Sequence, residues 1–364
     1  MTNTILLFIA GLVVLIVGAE LLVRGASRLA AAFGVSPLVI GLTIVAIGTA
    51  SPEVAVSLKA AAAGQADLTL GNVLGSNIFN ILFILGVTSI VAPIVIAEQL
   101  IRKDVPIMLG VSLLTFALAW DGKLGWLDGV VLFLGLIAYM VFALRQSRAE
   151  SKEVQEEYAE EFAEKEPRTA KKTVLNGVFI LIGLGLLVLG SNWLVDSAVQ
   201  IAQAIGVSEL VIGLTIVAVG TSLPEIATSV IAALKGESDI AVGNAVGSNI
   251  FNLLGVLGIG ALVAPDGISV AAGVLQFDLP VMAFVALVTL PIFYIDNRVS
   301  RVEGGLLLTY YVIYISYVVL RAAENSSLST MTLFIAFFIP ITFIALIAIS
   351  VRSFRARNKI TLQS

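Results

Sequence analysis

Two glutamates stand inside very apolar parts of the sequence, and each directly follows a proline. Glu53 ends the phrase GLTIVAIGTASPE, and Glu225 ends the nearly identical phrase GLTIVAVGTSLPE. A carboxylate at the centre of a bilayer costs about 2.5–3.5 kcal/mol on insertion scales, so such residues usually have a function. The proline removes a backbone N–H and frees a carbonyl upstream. The phrase therefore predicts a broken helix whose carbonyls, hydroxyls and carboxylate converge, as the oxygen ligands of a hard cation do.

A second polar motif follows each glutamate phrase and could complete the ligand set. It reads LGNVLGSNIFN at 70–80 and VGNAVGSNIFN at 242–252. Its first asparagine, its serine and its last asparagine recur every four residues, so on a helix they share one face. The glycine pairs of the motif favour close helix packing and are not counted as ligands. The six side chains on these faces are Asn72, Ser76 and Asn80 in the first copy and Asn244, Ser248 and Asn252 in the second.

The two sets of motifs are copies at a constant spacing. Glu53 and Glu225 lie 172 positions apart, as do Ser76 and Ser248, and no gap is needed between these points. This dense identity indicates a duplication. Each copy contains five predicted spans, and an odd number places the second copy upside down in the membrane, with a pseudo-two-fold axis in the membrane plane.

Inversion is expected to bring the two glutamates together at the membrane midplane. Two carboxylates in one site repel each other, so the site should take up a proton or hold cations. One divalent ion or several monovalent ions would balance the two charges. Mutual exclusion of such ions at one site is a physical basis for exchange.

The composition excludes a soluble protein. Of the 364 residues, 59% are hydrophobic and 13% are charged, whereas soluble domains carry about 25% charged residues. The chain lacks cysteine and histidine, which excludes disulfides, thiolate metal sites and the usual proton switch near neutral pH. No phosphate-binding loop, nucleic-acid patch or enzymatic domain is recognisable. Apolar runs of about 20 residues recur without period-two alternation, which predicts an all-α polytopic membrane protein.

Eleven spans are predicted. The first is interpreted as a mature helix, because it has no basic start and contains Glu20. The one long polar stretch follows the fifth span and is predicted to be a solvated helical linker between the repeats. The predicted spans are 4–23, 36–62, 68–92, 104–120, 126–145, 173–195, 208–234, 240–264, 276–296, 302–321 and 330–351.

The positions of lysine and arginine predict the orientation. With the N-terminus outside, all but three of the 21 basic residues face the cytoplasm, the exceptions being Lys59, Lys123 and Arg321. The linker and the basic C-terminus are then cytoplasmic, in a multi-pass protein of the inner (plasma) membrane. The predicted domains are a first five-helix repeat at 1–146, a linker at 147–172, a second, inverted five-helix repeat at 173–322, and an eleventh C-terminal helix with its tail at 323–364.

These motifs closely resemble those of the cation/calcium exchanger superfamily, and most of all the prokaryotic sodium/calcium exchangers with paired α-repeats. The resemblance covers the first ten spans. It implies four ion sites between spans two, three, seven and eight, with spans one and six sliding as a gate. By this resemblance Glu53 and Glu225 are central calcium ligands, Thr49 and Thr221 contribute backbone carbonyls, Asn80 and Asn252 line the middle site, and Ser76, Ser248 and the carbonyls of Ala46 and Ala218 serve flanking sodium sites.

The chain departs from the family pattern in three places. The serine that usually follows the motif threonine is present as Ser222, but the first copy has Ala50 and carries its serine at Ser51. One flanking sodium site therefore loses a hydroxyl, and Ser51, pointing about 100° further round the helix, need not replace it. Asn252 stands where some relatives have an aspartate, which argues against potassium dependence. The eleventh span exceeds the ten-span core.

The sequence thus predicts a secondary-active antiporter that exchanges calcium for sodium by alternating access at one midplane site. Calcium/proton exchange stays open as an alternative, because proton competition needs only carboxylates. A passive cation channel is the alternative from another class. The predicted partners are calcium and sodium as transported ions and the lipid bilayer, with no cofactor and no nucleic acid. A monomer is compatible with the sequence, which leaves the oligomeric state open.

Overall fold

The computed structural model describes residues 2–33, 35–149, 170–204, 218–323 and 325–361. In this part of the chain nine helices are long and apolar enough to cross a membrane, and a bent helix pair makes a tenth crossing. The first residues of the expected seventh span, 208–217, lie outside the described part, and its second half is the apolar helix Leu223–Leu234. The prediction of an all-helical membrane protein is confirmed.

Thirteen helices are numbered here in chain order, and several run beyond the predicted spans because polar helix ends continue past the apolar core. They are α1 Thr2–Phe33, α2 Pro37–Thr49, α3 Ser51–Ala62, α4 Ala66–Val91, α5 Leu100–Asp121, α6 Trp126–Ala149, α7 Ala170–Ala204, α8 Ala218–Gly220, α9 Leu223–Leu234, α10 Ser238–Val263, α11 Val274–Tyr294, α12 Arg301–Ala322 and α13 Leu328–Thr361.

Four two-residue strands report how the two repeats are related. Strand β1 (Ile94–Val95) pairs antiparallel with β4 (Arg298–Val299), and β2 (Lys123–Leu124) pairs antiparallel with β3 (Ile268–Ser269). Strands β1 and β3 follow the third span of their repeats, whereas β2 and β4 precede the fifth. Pairing β1 with β4 and β3 with β2 is the exchange that a two-fold axis produces, as expected for inverted repeats.

The two helices that carry the site motifs lie at the centre of the bundle. Over the most apolar 18 residues of each helix, 78% of α4 and 83% of α10 is buried, whereas only 28% of α1 and of α7 and 11% of α13 is buried. The eleventh span, α13, packs on the outside of the second repeat, where Thr342 bonds the hydroxyl of Tyr310 and Phe343 contacts Phe284. The polar motifs are therefore shielded by the other spans.

A seam of glycines joins α1 to α7, the first helices of the two repeats. Gly11 lies against Gly190 and Gly18 against Gly183, so the two helices run antiparallel. A Cβ atom built on Gly18 would come within 2.8 Å of a backbone nitrogen of α7, and one on Gly183 within 2.7 Å of a backbone nitrogen of α1. Only glycine permits this approach, in which the backbones themselves are in contact.

We expect Gly18→Val and Gly183→Val to destabilise the protein by about 1–3 kcal/mol, the usual cost of overpacking a close contact. The measurement is the midpoint of thermal unfolding of the detergent-solubilised protein. Gly185→Val is the matched control, because Gly185 lies on the same helix and has no described atom within 4 Å of its Cβ position. Equal midpoints for Gly183→Val and Gly185→Val would contradict the seam.

Candidate cation site

The first glutamate phrase forms a broken helix, as predicted. Helix α2 ends at Thr49, and α3 continues after a bend of 52°. Pro52 has no N–H, so the carbonyl four residues earlier, on Gly48, loses its helical donor. The hydroxyl of Ser51 donates to this carbonyl at 2.7 Å. The freed carbonyl is thus satisfied from within its own broken span.

The second phrase satisfies the equivalent carbonyl from another helix. Pro224 frees the carbonyl of Gly220, and the hydroxyl of Ser191, on α7, donates to it at 2.7 Å. The residue 172 positions before Ser191 is Ala19, which has no hydroxyl. In the first repeat Ser51 therefore donates the hydrogen bond to the freed carbonyl that Ser191 of α7 donates in the second repeat.

This arrangement leaves Ser222 available for the opposite repeat. Its hydroxyl donates to Oε1 of Glu53 at 2.9 Å. The equivalent residue of the first repeat is Ala50, so Glu225 receives no such bond. Ser51 is exposed and its hydroxyl is bonded to Gly48, so the structure places this candidate apart from the buried oxygens.

Glu53 and Glu225 are both buried, each with 1% of its surface exposed. The hydroxyl of Ser222, three residues before Glu225, bonds Glu53, which brings the two carboxylates into the same part of the interior. None of the ion pairs between described residues includes either glutamate, and Oε2 of each has no hydrogen-bond partner there. Two buried charges without compensation are costly, because an apolar interior solvates them poorly.

Two asparagine oxygens share this condition. Asn80 and Asn252 each expose 1% of their surface, and the Oδ1 atom of each lacks a donor among the described residues. Buried acceptors are normally hydrogen-bonded. The two glutamate oxygens and the two asparagine oxygens are thus four buried acceptors without a donor among the described residues. A cation could coordinate all four, because a cation interacts favourably with oxygen atoms. Within the described residues no cluster of three or more acidic side chains exists, so neutral oxygens must complete the set.

The outer asparagines of the motifs hold the backbone of the broken spans. Asn72 donates to the carbonyl of Glu53 at 3.2 Å, and Asn244 donates to the carbonyl of Glu225 at 3.4 Å. Both also donate to a serine hydroxyl one turn further along the broken span. These asparagines therefore support the glutamates instead of offering oxygens to the centre.

The remaining expected ligands are placed as follows. The hydroxyl of Thr49 donates to Oδ1 of Asn244 at 2.9 Å, while that of Thr221 is buried without a partner among the described residues. Ser248 donates weakly to the carbonyl of Ala46 at 3.5 Å, and both residues were expected at flanking sodium sites. Of the other two residues expected there, Ser76 is buried and Ala218 is the first residue of α8.

Three polar residues at the centre were not predicted from the sequence. Asn77 and Asn249 bond to each other's helix and to the ligand asparagines. Their presence in both copies of the SNIFN motif was the signal that could have identified them. Ser191 carried no such signal, because its counterpart in the first repeat is an alanine.

Comparison with known proteins covers both repeats. Residues 3–145 and 175–320 match the family described as sodium/calcium exchanger protein. The inner membrane protein YrbG of Escherichia coli is 39% identical over 284 residues, covering 78% of this chain and 86% of that protein. The sodium/calcium exchanger MaX1 of Methanosarcina acetivorans is 33% identical over 345 residues, covering 86% of this chain and 98% of that protein. The sodium-calcium exchanger NCX_Mj, soaked with zero Na+ and Ca2+, aligns with a TM-score of 0.74 at 31% identity, covering 86% of this chain and 98% of that chain.

We expect Ser191→Ala to lower stability by about 1–3 kcal/mol, because it leaves the freed carbonyl of Gly220 buried without a donor. Ser51→Ala should cost less, since its side chain is exposed and water can replace it. Thermal midpoints of the two purified variants make the comparison. The account of the freed carbonyls is wrong if Ser51→Ala destabilises the protein more than Ser191→Ala.

Proposed function

This chain belongs to the sodium/calcium exchanger family, and we propose that its buried oxygens at the centre of the bundle bind calcium in exchange for sodium. The single observation that carries the proposal is the pair of buried, uncompensated glutamates from the two repeats. One calcium ion neutralises both charges. Sodium ions competing for the same oxygens exclude calcium, and this exclusion couples the two fluxes in an antiporter.

Each residue has a proposed role. Glu53 and Glu225 bind calcium directly, and the amide oxygens of Asn80 and Asn252 complete its coordination. Ser222 orients Glu53. The remaining ligands serve the centre through backbone carbonyls or the flanking sodium sites, namely Thr49, Thr221, Ser76, Ser248, Ala46 and Ala218.

The neutral Asn252 supports exchange without potassium. The chain has an amide where a third carboxylate would add charge, so two carboxylates face the cargo. The missing hydroxyl at Ala50 leaves Glu225 without the bond that Ser222 gives Glu53. We propose that this difference makes the two flanking sodium sites unequal in affinity.

Alternating access is supported by unequal packing of the two repeats. Helix α1 packs against α9, whereas α7 makes little contact with α3, although symmetry makes these pairs equivalent. The face of α9 that carries Leu223 and Ile231 is covered by the apolar cluster of α1. The matching face of α3, which includes Ala55 and Lys59, is exposed. The site is therefore proposed to open between α3 and α7.

Polar contacts hold the other side closed. Two hydrogen bonds connect α1 to the turn after α9. Lys235 donates to Glu20 at 2.5 Å, and Ser27 donates to Glu237 at 2.5 Å. The first repeat has no equivalent pair, since Lys235 corresponds to Ala63. In the proposed orientation, with basic residues inside, the closed side is cytoplasmic and the open side extracellular.

The proposed location is the plasma membrane, with the N-terminus outside and the C-terminus in the cytoplasm. The distribution of lysine and arginine supports it, as does the name of one relative, an inner membrane protein. The domain boundaries remain as proposed from the sequence, with most of the linker outside the described residues. A single chain supplies both glutamates, so a monomer suffices for the proposed site.

Calcium uptake into everted vesicles, driven by a sodium gradient, should be abolished by Glu53→Gln and by Glu225→Gln. Each change removes one of the two charges that balance calcium. Glu98→Gln is the control, because Glu98 is exposed and paired with Arg102. Imposing proton and potassium gradients separately tests the counter-ion. Sodium-driven uptake that persists in both site variants rules out the assignment of the glutamates.

Introduced cysteines should report the open side, because the chain contains none of its own. Ala55 and Ala227 are equivalent positions in the two repeats, yet Ala55 is exposed while Ala227 is 9% exposed. A membrane-impermeant maleimide added outside whole cells should modify the Ala55→Cys protein faster than the Ala227→Cys protein. Equal rates, or the reverse order, would overturn the proposed outward opening.

A further inference from the structure

Four buried asparagines, with exposures of 1% to 4%, are hydrogen-bonded to one another between α4 and α10, the central helices of the two repeats. Asn77 of α4 and Asn249 of α10 form a ring, because each donates to the backbone carbonyl of the other. Asn80 bonds to this ring at Asn249, and Asn252 bonds to it at Asn77. The arrangement obeys the pseudo-two-fold axis, since each bond has a counterpart in which residues 172 positions apart are exchanged.

Two backbone carbonyls determine how the ring is oriented. The Nδ2 atom of Asn77 donates to the backbone carbonyl of Asn249 at 3.3 Å, and Nδ2 of Asn249 donates to the backbone carbonyl of Asn77 at 3.0 Å. A carbonyl can accept but cannot donate. Each of these two amides must therefore turn its nitrogen toward the carbonyl, and its Oδ1 atom is left for another partner.

That constraint passes on to the two ligand asparagines. Asn80 donates through Nδ2 to Oδ1 of Asn249 at 3.0 Å, and Asn252 donates through Nδ2 to Oδ1 of Asn77 at 3.2 Å. If either ligand amide were reversed, two acceptor oxygens would face each other. The Oδ1 atoms of Asn80 and Asn252 consequently point away from the ring, and neither atom has a donor among the described residues.

We infer that Asn77 and Asn249 are positioning residues that make the central site selective for cations. This inference rests on the proposed function, because it concerns the two amide oxygens offered to calcium. An unrestrained asparagine can present either oxygen or NH2 to the site, and NH2 repels a cation. The ring removes that freedom before the ion arrives, so no binding energy is lost in orienting the amides.

The ring also crosses between the repeats. Asn249 lies three residues before Asn252 on α10, yet its Oδ1 atom holds Asn80 of α4. Asn77 likewise holds Asn252 rather than its neighbour Asn80. Each repeat thus orients the ligand of the other, which gives the inference a signature that a general loss of packing does not share.

The test measures calcium affinity by titration calorimetry of the purified full-length protein in sodium-free buffer. Asn249→Leu and Asn77→Leu should each weaken calcium binding by about tenfold, the typical effect of releasing one buried hydrogen-bonded group. Asn80→Ala and Asn252→Ala are measured alongside to establish what each ligand contributes. Thermal midpoints of all variants report folding separately.

Double variants identify the cross-repeat partners. Adding Asn80→Ala to Asn249→Leu should weaken binding little further, because Asn249 acts through Asn80. Adding Asn252→Ala to Asn249→Leu should weaken it by the full effect of Asn252→Ala.

The possible outcomes separate this inference from the proposed function. If Asn80→Ala and Asn252→Ala leave calcium affinity unchanged, the two amides are not calcium ligands and the inference fails, while the proposed function is still judged by the glutamate variants. If they weaken binding but Asn249→Leu and Asn77→Leu do not, only the positioning role is overturned. Full additivity of Asn249→Leu with Asn80→Ala also overturns it.

Discussion

The structure depends on one constraint: two carboxylates lie together in a low-dielectric interior, and neither forms an ion pair with a lysine or arginine among the described residues. Burial makes each charge costly, and proximity adds repulsion. Both effects act on Glu53 and Glu225, which are each only 1% exposed. The helix breaks, the asparagine bonds and the enclosing spans keep these oxygens together in the interior. The proposed cation site follows from this constraint, because a bound cation would balance the two charges.

The duplication supplies one half of this site from each repeat, and small departures from symmetry give the two halves different hydrogen bonds. Both repeats break a helix at a proline and must satisfy the freed carbonyl. One uses Ser51 of the same broken span and the other uses Ser191 of α7. That choice determines whether a serine is available for a glutamate, which is why Ser222 holds Glu53 while Ala50 offers nothing to Glu225.

The molecule combines a rigid centre with a differently packed exterior. Asparagine bonds lock α4 to α10 in register, whereas α1 and α7 meet each other through glycines. At these glycines the backbones of α1 and α7 are in contact, and Leu15, Leu187 and Leu194 belong to one apolar cluster beside them. The unequal packing of α1 against α9 and of α7 against α3 surrounds a centre whose asparagine bonds are symmetric.

The sequence by itself determined the membrane class, the repeat, its inversion and the central glutamates, because hydrophobic length, constant spacing and the parity of spans are properties of the chain alone. The broken helix at Pro52 followed from its missing N–H. The partners of each side chain were decided only by the tertiary structure. Ser51 turned to Gly48, Ser191 reached Gly220, and Asn249 bonded Asn80 rather than its own neighbour. Such contacts depend on the distance and rotation of helices far apart in sequence, which residue spacing along one helix does not specify.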